Sequence, residues 1–501
     1  MKPITAEEMV SLEANAEYLG VSLLQLMECA GKAVADLVGN LKPEGKVTVY
    51  AGNGRNGGDG MVAARHLASK GFHVTLILVG GEERVTDPVV SANWRALKAM
   101  TESVKLIIAR DSTQIPLIEA DIIIDALLGI GVKGKLKPPI LQAVKAVNRL
   151  KGFKVAVDVP TGVDADTGEI LGKAVKANVT VTFHRVKTGL TKARKYAGKI
   201  HVVDIGIPPE AETYAGPGDV VKVRRTRPSD AHKGDFGRLL VIGGSPVYSG
   251  APALAALAAL ETGVDLAYIA APREAGLAIS SYSPNLITFK LEGECLSPKH
   301  LKLLRPLVER CTALILGPGL ETKKESLRAL PRILALSEIY GKPILLDADG
   351  LKLFARLGRK AKTACVLTPH RGEFKLLTGV EPSGSLEEVG EEVRKAAERF
   401  NATILLKAPV DIISDGARVK YNKTGGPAMT AGGTGDVLAG IVGGFLAMGV
   451  QPFEAAVAGA FINGSVGDLA YKRKGHHLKA TDLLPEIPSL IENPMKHLEA
   501  F

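Results

Sequence analysis

The sequence predicts an α/β protein made of two tandem sandwiches, each a largely parallel sheet covered by helices on both faces. Three observations carry the prediction. Short β-branched runs alternate with helical stretches, those runs are almost continuously apolar, and glycines crowd at their downstream ends. A strand solvated on one face alternates polar and apolar residues, so unbroken apolar runs select a sheet buried on both sides. In such sheets ligands gather beyond the carboxyl ends of the strands.

The chain opens on helices. Thr5 followed three residues later by Glu8 is a capping box, and the apolar spacing through Met9, Leu12 and Leu19 extends it as a helix. A second helix is predicted near Leu23 to Leu41. Strands follow at Lys46 to Tyr50, Val74 to Val79, Asp121 to Asp125, Val155 to Val159 and Val179 to Phe183, with an amphipathic helix starting at Met61. Between Asp204 and Gly237 the helical periodicity fails among Pro208, Pro209, Pro217 and Pro228, which marks a boundary. The expected division is a first domain over 1–210, a linker over 211–228 and a second domain over 229–501. The second series of strands is predicted at Arg238 to Ile242, Leu266 to Ala270, Ala313 to Leu316, Pro343 to Leu346, Ala364 to Leu367 and Thr403 to Leu406. Ile412 to Ser414 and Arg418 to Tyr421 then read as a hairpin turned by Asp415-Gly416.

Composition narrows the class of protein. Hydrophobic residues at 46% and charged ones at 23% exclude a disordered chain, and 55 glycines without a three-residue period exclude collagen. The formal charge of +10 favours acidic ligands without choosing among them. Part of the excess lies in the run Arg185 to Lys199, which reads as a solvated basic loop or as a loop facing a polyphosphate. Cys29, Cys295, Cys311 and Cys365 are far apart with no C-x-x-C spacing, so neither a zinc site nor a disulfide framework is expected. The longest apolar stretch, Ala251 to Leu260, ends at Glu261, short of the roughly 20 residues a membrane span needs. A cytoplasmic location with no membrane partner is expected.

The chemistry-bearing residues sit at strand ends. The first strand runs into Gly52-Asn-Gly-Arg55-Asn56-Gly57-Gly58-Asp59-Gly60, five glycines in nine residues ahead of a helix. Such a turn lets backbone approach a ligand and aims helix-terminal amides at an anion. It has no G-K-[ST] and is not a Walker A loop. Asn56 and Asp59 add oxygens suited to sugar hydroxyls or a hard cation, and equally suited to capping the turn. Asp125 leads into Gly129-Ile130-Gly131-Val132-Lys133-Gly134, and Asp158 leads into Pro160-Thr161-Gly162. Three successive strand ends with a carboxylate beside glycines converge on one cleft.

These segments resemble the NAD(P)H-hydrate epimerase domain, over about Thr5 to Pro209. The resemblance implies a Rossmann-like sandwich that interconverts the R and S epimers of nicotinamide nucleotides hydrated at C6, beside a bound potassium ion. It implies substrate contacts from Arg55, Asn56, Gly57, Gly58 and Asp59, from Gly129 through Ile130, Gly131, Val132, Lys133 and Gly134 to Lys135, and from Asp158. Potassium would be held by Asn56, Asp125 and Thr161, an oxygen set that suits a hard ion. Asp158 is the candidate acid/base for making and breaking the C6–O bond. Arg55 stands where the family commonly has Asn, and Thr161 where it has Ser; Thr keeps the hydroxyl.

In the second half, Met429-Thr430-Ala431-Gly432-Gly433-Thr434-Gly435-Asp436 enters an Ala/Gly-rich helix. A glycine turn at a helix start offers free amides to a phosphoryl group, and an Asp in the first turn can take a proton from an attacking hydroxyl. The segment resembles the anion hole and catalytic Asp of the ribokinase-like superfamily. With Gly243-Gly-Ser, Tyr248-Ser-Gly-Ala251, Gly317-Pro-Gly319 and Thr368-Pro-His370-Arg-Gly-Glu373 in order, residues from about Ser229 to Leu490 resemble nucleotide-dependent NAD(P)H-hydrate dehydratases.

That resemblance implies a ribokinase-like α/β domain that binds hydrate at Ala251, Gly319, His370 and Asp436. It implies ADP at Lys407, Ala408, Pro409, Val410 and Asp411 and from Gly426, Pro427 and Ala428 through Met429 to Gly435. Asp436 would activate the C6 hydroxyl of the S-hydrate toward the terminal phosphoryl group, and loss of phosphate would restore the double bond. ADP rather than ATP, with magnesium on its phosphates, is the expected co-substrate; Asp347, Asp349 and Glu373 either help hold the metal or cap helices. Partners are therefore small molecules, NAD(P)H-hydrate and ADP, with no nucleic acid, in an expected homo-oligomer. The other readings are a small-molecule alcohol kinase in the second half and a nucleotide- or RNA-binding module in the first.

Overall fold

The computed structural model describes residues 2–501, and the chain divides into two compact units, Met1–Pro208 and Pro209–Phe501. In the first unit, helices Ala6–Tyr18 and Leu23–Leu41 both begin in complete capping boxes, on Thr5 and Ser22. Seven strands follow: β1 (Lys46–Ala51), β2 (His73–Val79), β3 (Val104–Ala109), β4 (Ile122–Ala126), β5 (Phe153–Val157), β6 (Val179–Phe183) and β7 (Lys199–Val203). They lie in the order β3-β2-β1-β4-β5-β6-β7, all parallel. The order reverses between β1 and β4, and that switch point opens a crevice at their carboxyl ends. On one face Tyr50, Ile77 and Ile123 pack with Val144 and Val147. The helix after β1 starts at Arg55, six residues before the sequence-based expectation, because Gly57, Gly58 and Gly60 take the places where side chains would collide with Gly52, Met27 and Ala126.

The second unit holds β8 (Arg238–Ile242), β9 (Leu266–Pro272), β10 (Leu286–Leu291), β11 (Ala313–Leu316), β12 (Ile344–Leu346), β13 (Cys365–Leu367), β14 (Thr403–Leu406), β15 (Asp411–Ser414) and β16 (Val419–Asn422). Their order is β10-β9-β8-β11-β12-β13-β14-β15-β16, parallel up to β14 and antiparallel through the terminal hairpin. A second switch point thus lies between β8 and β11. Helix Thr434–Ala447 is buried along nearly its whole length and lies close on helix Gly250–Thr262, where a side chain at Gly440 would strike the Ala255 carbonyl. Long apolar burial on that face leaves the carboxyl ends of the strands free for a site.

The stretch expected as a linker, 211–228, is structured and part of the second unit. Helices Pro209–Thr213 and Pro217–Val223 occupy it, Val220 and Val223 are buried, and Ala215 N–H donates to Tyr421 O at 2.7 Å. Two of the prolines that read as breaks, Pro209 and Pro217, begin these helices, where a missing N–H costs nothing. Among the described residues no helix is long and apolar enough to cross a membrane, and all four cysteines are free.

Candidate active sites

The carboxyl ends of β1, β4, β5 and β6 bring the first site together. Asp158 follows β5 in the left-handed region at φ 61°, a conformation that costs free energy in any residue but glycine. Its Oδ1 accepts from Lys187 Nζ at 2.5 Å, Thr182 Oγ1 at 3.1 Å and the Phe183 amide at 3.2 Å. Lys187 is 0% exposed and also donates to Phe183 O at 2.9 Å. The basic run from Arg185 is therefore not a wholly solvated loop. Its first lysine is a buried counter-ion, displaced from solvent because Asp158 needs a cation inside a dry wall. Applying the strand-end rule to β6 would have found it, since Lys187 lies just past that strand.

Two more carboxyls share this electrostatic neighbourhood. Burial, reinforced by Asp158 and Glu13, pushes Asp59 well above the usual carboxylate range. Glu13, on the first helix, is raised by burial against the pull of Arg55. Nothing in the sequence singled it out, because its helix is far from any strand end. Arg55 reaches Asp87 Oδ2 at 3.1 Å and Glu13 Oε2 at 3.4 Å, so it links three segments. Gly57 and Gly58 are buried helix positions, and Gly131, Lys133, Gly134 and Lys135 lie exposed on the loop after β4, with Ile130 and Val132 partly covered.

Beside them lies an oxygen-lined pocket. Asp125 Oδ2 accepts from the Thr161 amide at 2.8 Å and Oδ1 from its hydroxyl at 2.7 Å. Burial pushes the Asp125 carboxyl up to about 6, and none of the groups acting on it is cationic. Asn56 stands against Gly129, and its buried Nδ2 has no partner among the described residues.

In the second unit, the loops after β8 and β11 interlock: Gly244 N–H donates to Pro318 O at 2.8 Å, and a side chain at Gly319 would press on Tyr248. Ala251 lies in the first turn of the adjoining helix. His370 caps helix Arg371–Thr378, its Nδ1 accepting from Gly372 at 3.0 Å and Glu373 at 3.4 Å, while the ring stays exposed. Nε2 lies 3.6 Å from Glu373 Oε2 on the exposed ring. His370 pairs with Lys407 across a β-bridge, and the Lys407 amide donates to Pro369 O at 2.8 Å.

Asp436 occupies the first turn of helix Thr434–Ala447, which Gly433 enters at φ 94°. Burial, with Asp347 adding repulsion and Lys407 opposing it, pushes its carboxyl up to about 7. Lys407 Nζ donates to Asp347 Oδ1 at 2.9 Å, and Thr368 Oγ1 donates to the same oxygen at 2.7 Å. Burial works against the charge on Lys407, yet Asp347 and Glu373 outweigh it and hold the ammonium above its ordinary value. The expectation that Asp347, Asp349 and Glu373 help hold a metal meets competition. Asp349 binds Lys352 at 2.9 Å and the Glu321 amide at 3.0 Å, and Glu373 takes the His370 amide at 3.0 Å. Asp411 is likewise occupied: it accepts from Ala408 N–H at 3.1 Å and Asn422 Nδ2 at 3.0 Å, shaping the turn through Pro409 and Val410.

Two doubly wound sheets, each with a glycine-lined crevice and a raised carboxyl at its switch point or first helix turn, define a two-domain nucleotide-handling enzyme. Comparison makes this particular. The family described as YjeF-related protein N-terminus matches residues 23–189, and the family NAD(P)H-hydrate dehydratase matches residues 239–489. A bifunctional NAD(P)H-hydrate repair enzyme of Hyperthermus butylicus is 46% identical over 99% of this chain and 93% of its own. That of Pyrobaculum aerophilum is 48% identical over 98% of each. The chain belongs to the bifunctional NAD(P)H-hydrate repair enzymes. Among solved structures, a hypothetical protein of Streptococcus mutans superposes with TM-score 0.51 at 25% identity over 56% of this chain and 99% of its own. A ribokinase-like superfamily protein of Enterococcus faecalis does so with TM-score 0.50 at 24% identity, over 56% and 95%. The second unit has the ribokinase-like fold.

Proposed function

We propose that the first unit epimerises R- and S-NAD(P)H-hydrate and that the second dehydrates the S form to NAD(P)H, converting ADP to AMP and phosphate. The observation that carries the reading is Asp436, a carboxyl near neutrality at the entry of a glycine-turned helix. Its carboxylate takes the proton of the C6 hydroxyl as that oxygen attacks the terminal phosphoryl group of ADP, and AMP leaves. The amides of Gly433 and Gly435 and the ammonium of Lys407 face the transferring charge. The C6–O bond then breaks, phosphate leaving with that oxygen and the bonding pair, a C5 proton passes to water, and the C5–C6 double bond returns. Phosphate leaves far more readily than hydroxide.

Magnesium would enter on the nucleotide and supply charge neutralisation of its phosphates. Asp347, Asp349 and Glu373 are already committed, so the protein itself offers it little. The potassium reading rests on the donor chemistry: buried Asp125 and Thr161 supply oxygens, and the Asn56 carbonyl oxygen beside Gly129 would add a third. These three residues would hold the ion, and its charge would fix the crevice floor.

For epimerisation, the spread of carboxyl environments assigns roles. Asp59, whose burial favours the neutral carboxyl, is the proton donor to the departing C6 hydroxyl, which leaves as water. Asp158, paired with Lys187, accepts the proton when water returns to the opposite face. Arg55 binds Glu13 and Asp87 and so orders the pocket wall.

Incubating purified protein with S-hydrate and ADP should restore the dihydronicotinamide absorbance with stoichiometric AMP. A stable phosphorylated product without recovered absorbance would replace this reading with that of an alcohol kinase.

A further inference from the structure

Helix Pro452–Lys474 carries Gly464, Gly467 and Asp468 on one face, three and four residues apart. Against this face lies the start of the glycine-rich segment assigned above to ADP. A side chain at Gly464 would collide with the Thr424 backbone, and one at Gly467 with Met429 Sδ, so the two glycines let the segment lie flush on the helix. Asp468 then grips it. Its Oδ2 accepts from the Gly425 amide at 2.9 Å and its Oδ1 from the Gly426 amide at 3.0 Å. Gly425 has φ 93°, the bend at which the segment turns away from the helix.

Asp468 is itself fixed from behind. His497 Nε2 lies 2.9 Å from Asp468 Oδ2, and the imidazole is 1% exposed. Phe461 and Phe501 pack edge-on to the ring, at centroid distances of 5.7 Å and 5.2 Å. Lys472, one turn further along the same helix, donates to Glu499 O at 2.5 Å and Phe501 O at 3.2 Å, anchoring the segment that carries His497.

We propose that Asp468 and His497 are positioning residues for the nucleotide: His497 holds the Asp468 carboxylate so that both its oxygens take consecutive amides, and this sets the direction in which residues 426–435 leave toward Asp436. Neither residue needs to touch the ligand. A carboxylate free to rotate would satisfy one amide at a time, and the segment would sample orientations in which its amides miss the phosphates. This inference rests on the assignment of ADP to residues 426–435.

The test separates the hydrogen bond from the packing around it. His497→Phe keeps an aromatic ring between Phe461 and Phe501 but removes the donor, whereas His497→Gln keeps a donor. ADP binding is measured by titration calorimetry, and both activities are assayed in the full chain. The Kd and KM for ADP should rise about tenfold in His497→Phe, the value of one charge-assisted hydrogen bond, with kcat changing much less. The epimerase parameters should stay as in the wild type, and His497→Gln should recover most of the loss. Asp468→Asn, nearly isosteric but able to accept only one of the two amides, carries the same test if the Phe variant misfolds. Equal ADP affinity in wild type and variants overturns the brace, as does a parallel fall in both activities, which marks a general packing role. ADP binding without hydrate turnover in the wild type overturns the functional reading and leaves the brace standing; no ADP binding at all overturns both.

Discussion

Asp436 meets two opposed demands. As the proposed base it must lose its proton near neutral pH, yet burial beside Asp347 pushes its carboxyl from an ordinary 3.8 up to about 7. Dehydration should therefore fall about tenfold per pH unit below about 7 and level off above it. The stability effect has the opposite sense. A carboxyl with a raised folded-state pKa binds its proton more tightly folded than unfolded, so its contribution is fully present below about 3.8 and is lost as pH rises through about 7. Asp436→Asn should abolish dehydration and raise the melting temperature of the second unit at pH 8 but not at pH 4. A constant gap between variant and wild type at both pH values would contradict the burial argument. Lys187 presents the complementary case, a cation placed where solvent cannot reach because Asp158 is there. Lys187→Met should lose about 3–5 kcal/mol, seen as earlier loss of epimerase activity in urea, and Lys187→Met combined with Asp158→Asn should regain most of the stability but none of the activity.

At the scale of elements, central strands are legible in the sequence, and of the four edge strands only β16, marked by its Asp-Gly turn, is. β1, β2, β4, β5 and β6, the interior strands of the first sheet, are near-continuous apolar runs, and each was read directly. The strands missed, β3, β7 and β10, are all edge strands; KIHVV and LITFKL mix polar with apolar residues, whereas VKLIIA is apolar but for Lys105. Helix starts followed capping chemistry where it was local, as at Thr5, and failed where tertiary contact decided. The helix at Arg55 begins inside a glycine run because neighbouring backbone leaves no room for side chains there. Site residues divided the same way. Carboxylates at strand ends are legible as candidates because the topology brings strand ends to one edge. Glu13 and the brace of Asp468 and His497 are not, since they meet their partners only through folding across tens of residues.

For the whole molecule, both units use the doubly wound order with a single reversal, and both put chemistry at the reversal or beside it. The two reactions then follow one another: the first unit supplies the epimer that the second consumes. The glycine excess and the basic charge fit this, the glycines by position and the charge through exposed Lys133 and Lys135 on the loop after β4. The most direct measurement starts from R-hydrate alone with ADP and follows dihydronicotinamide absorbance. The wild type should recover all of it, Asp158→Asn only what spontaneous epimerisation supplies, and Asp436→Asn none. Full recovery by Asp158→Asn at the wild-type rate, or recovery by Asp436→Asn, would contradict the assignment of the two reactions to the two units.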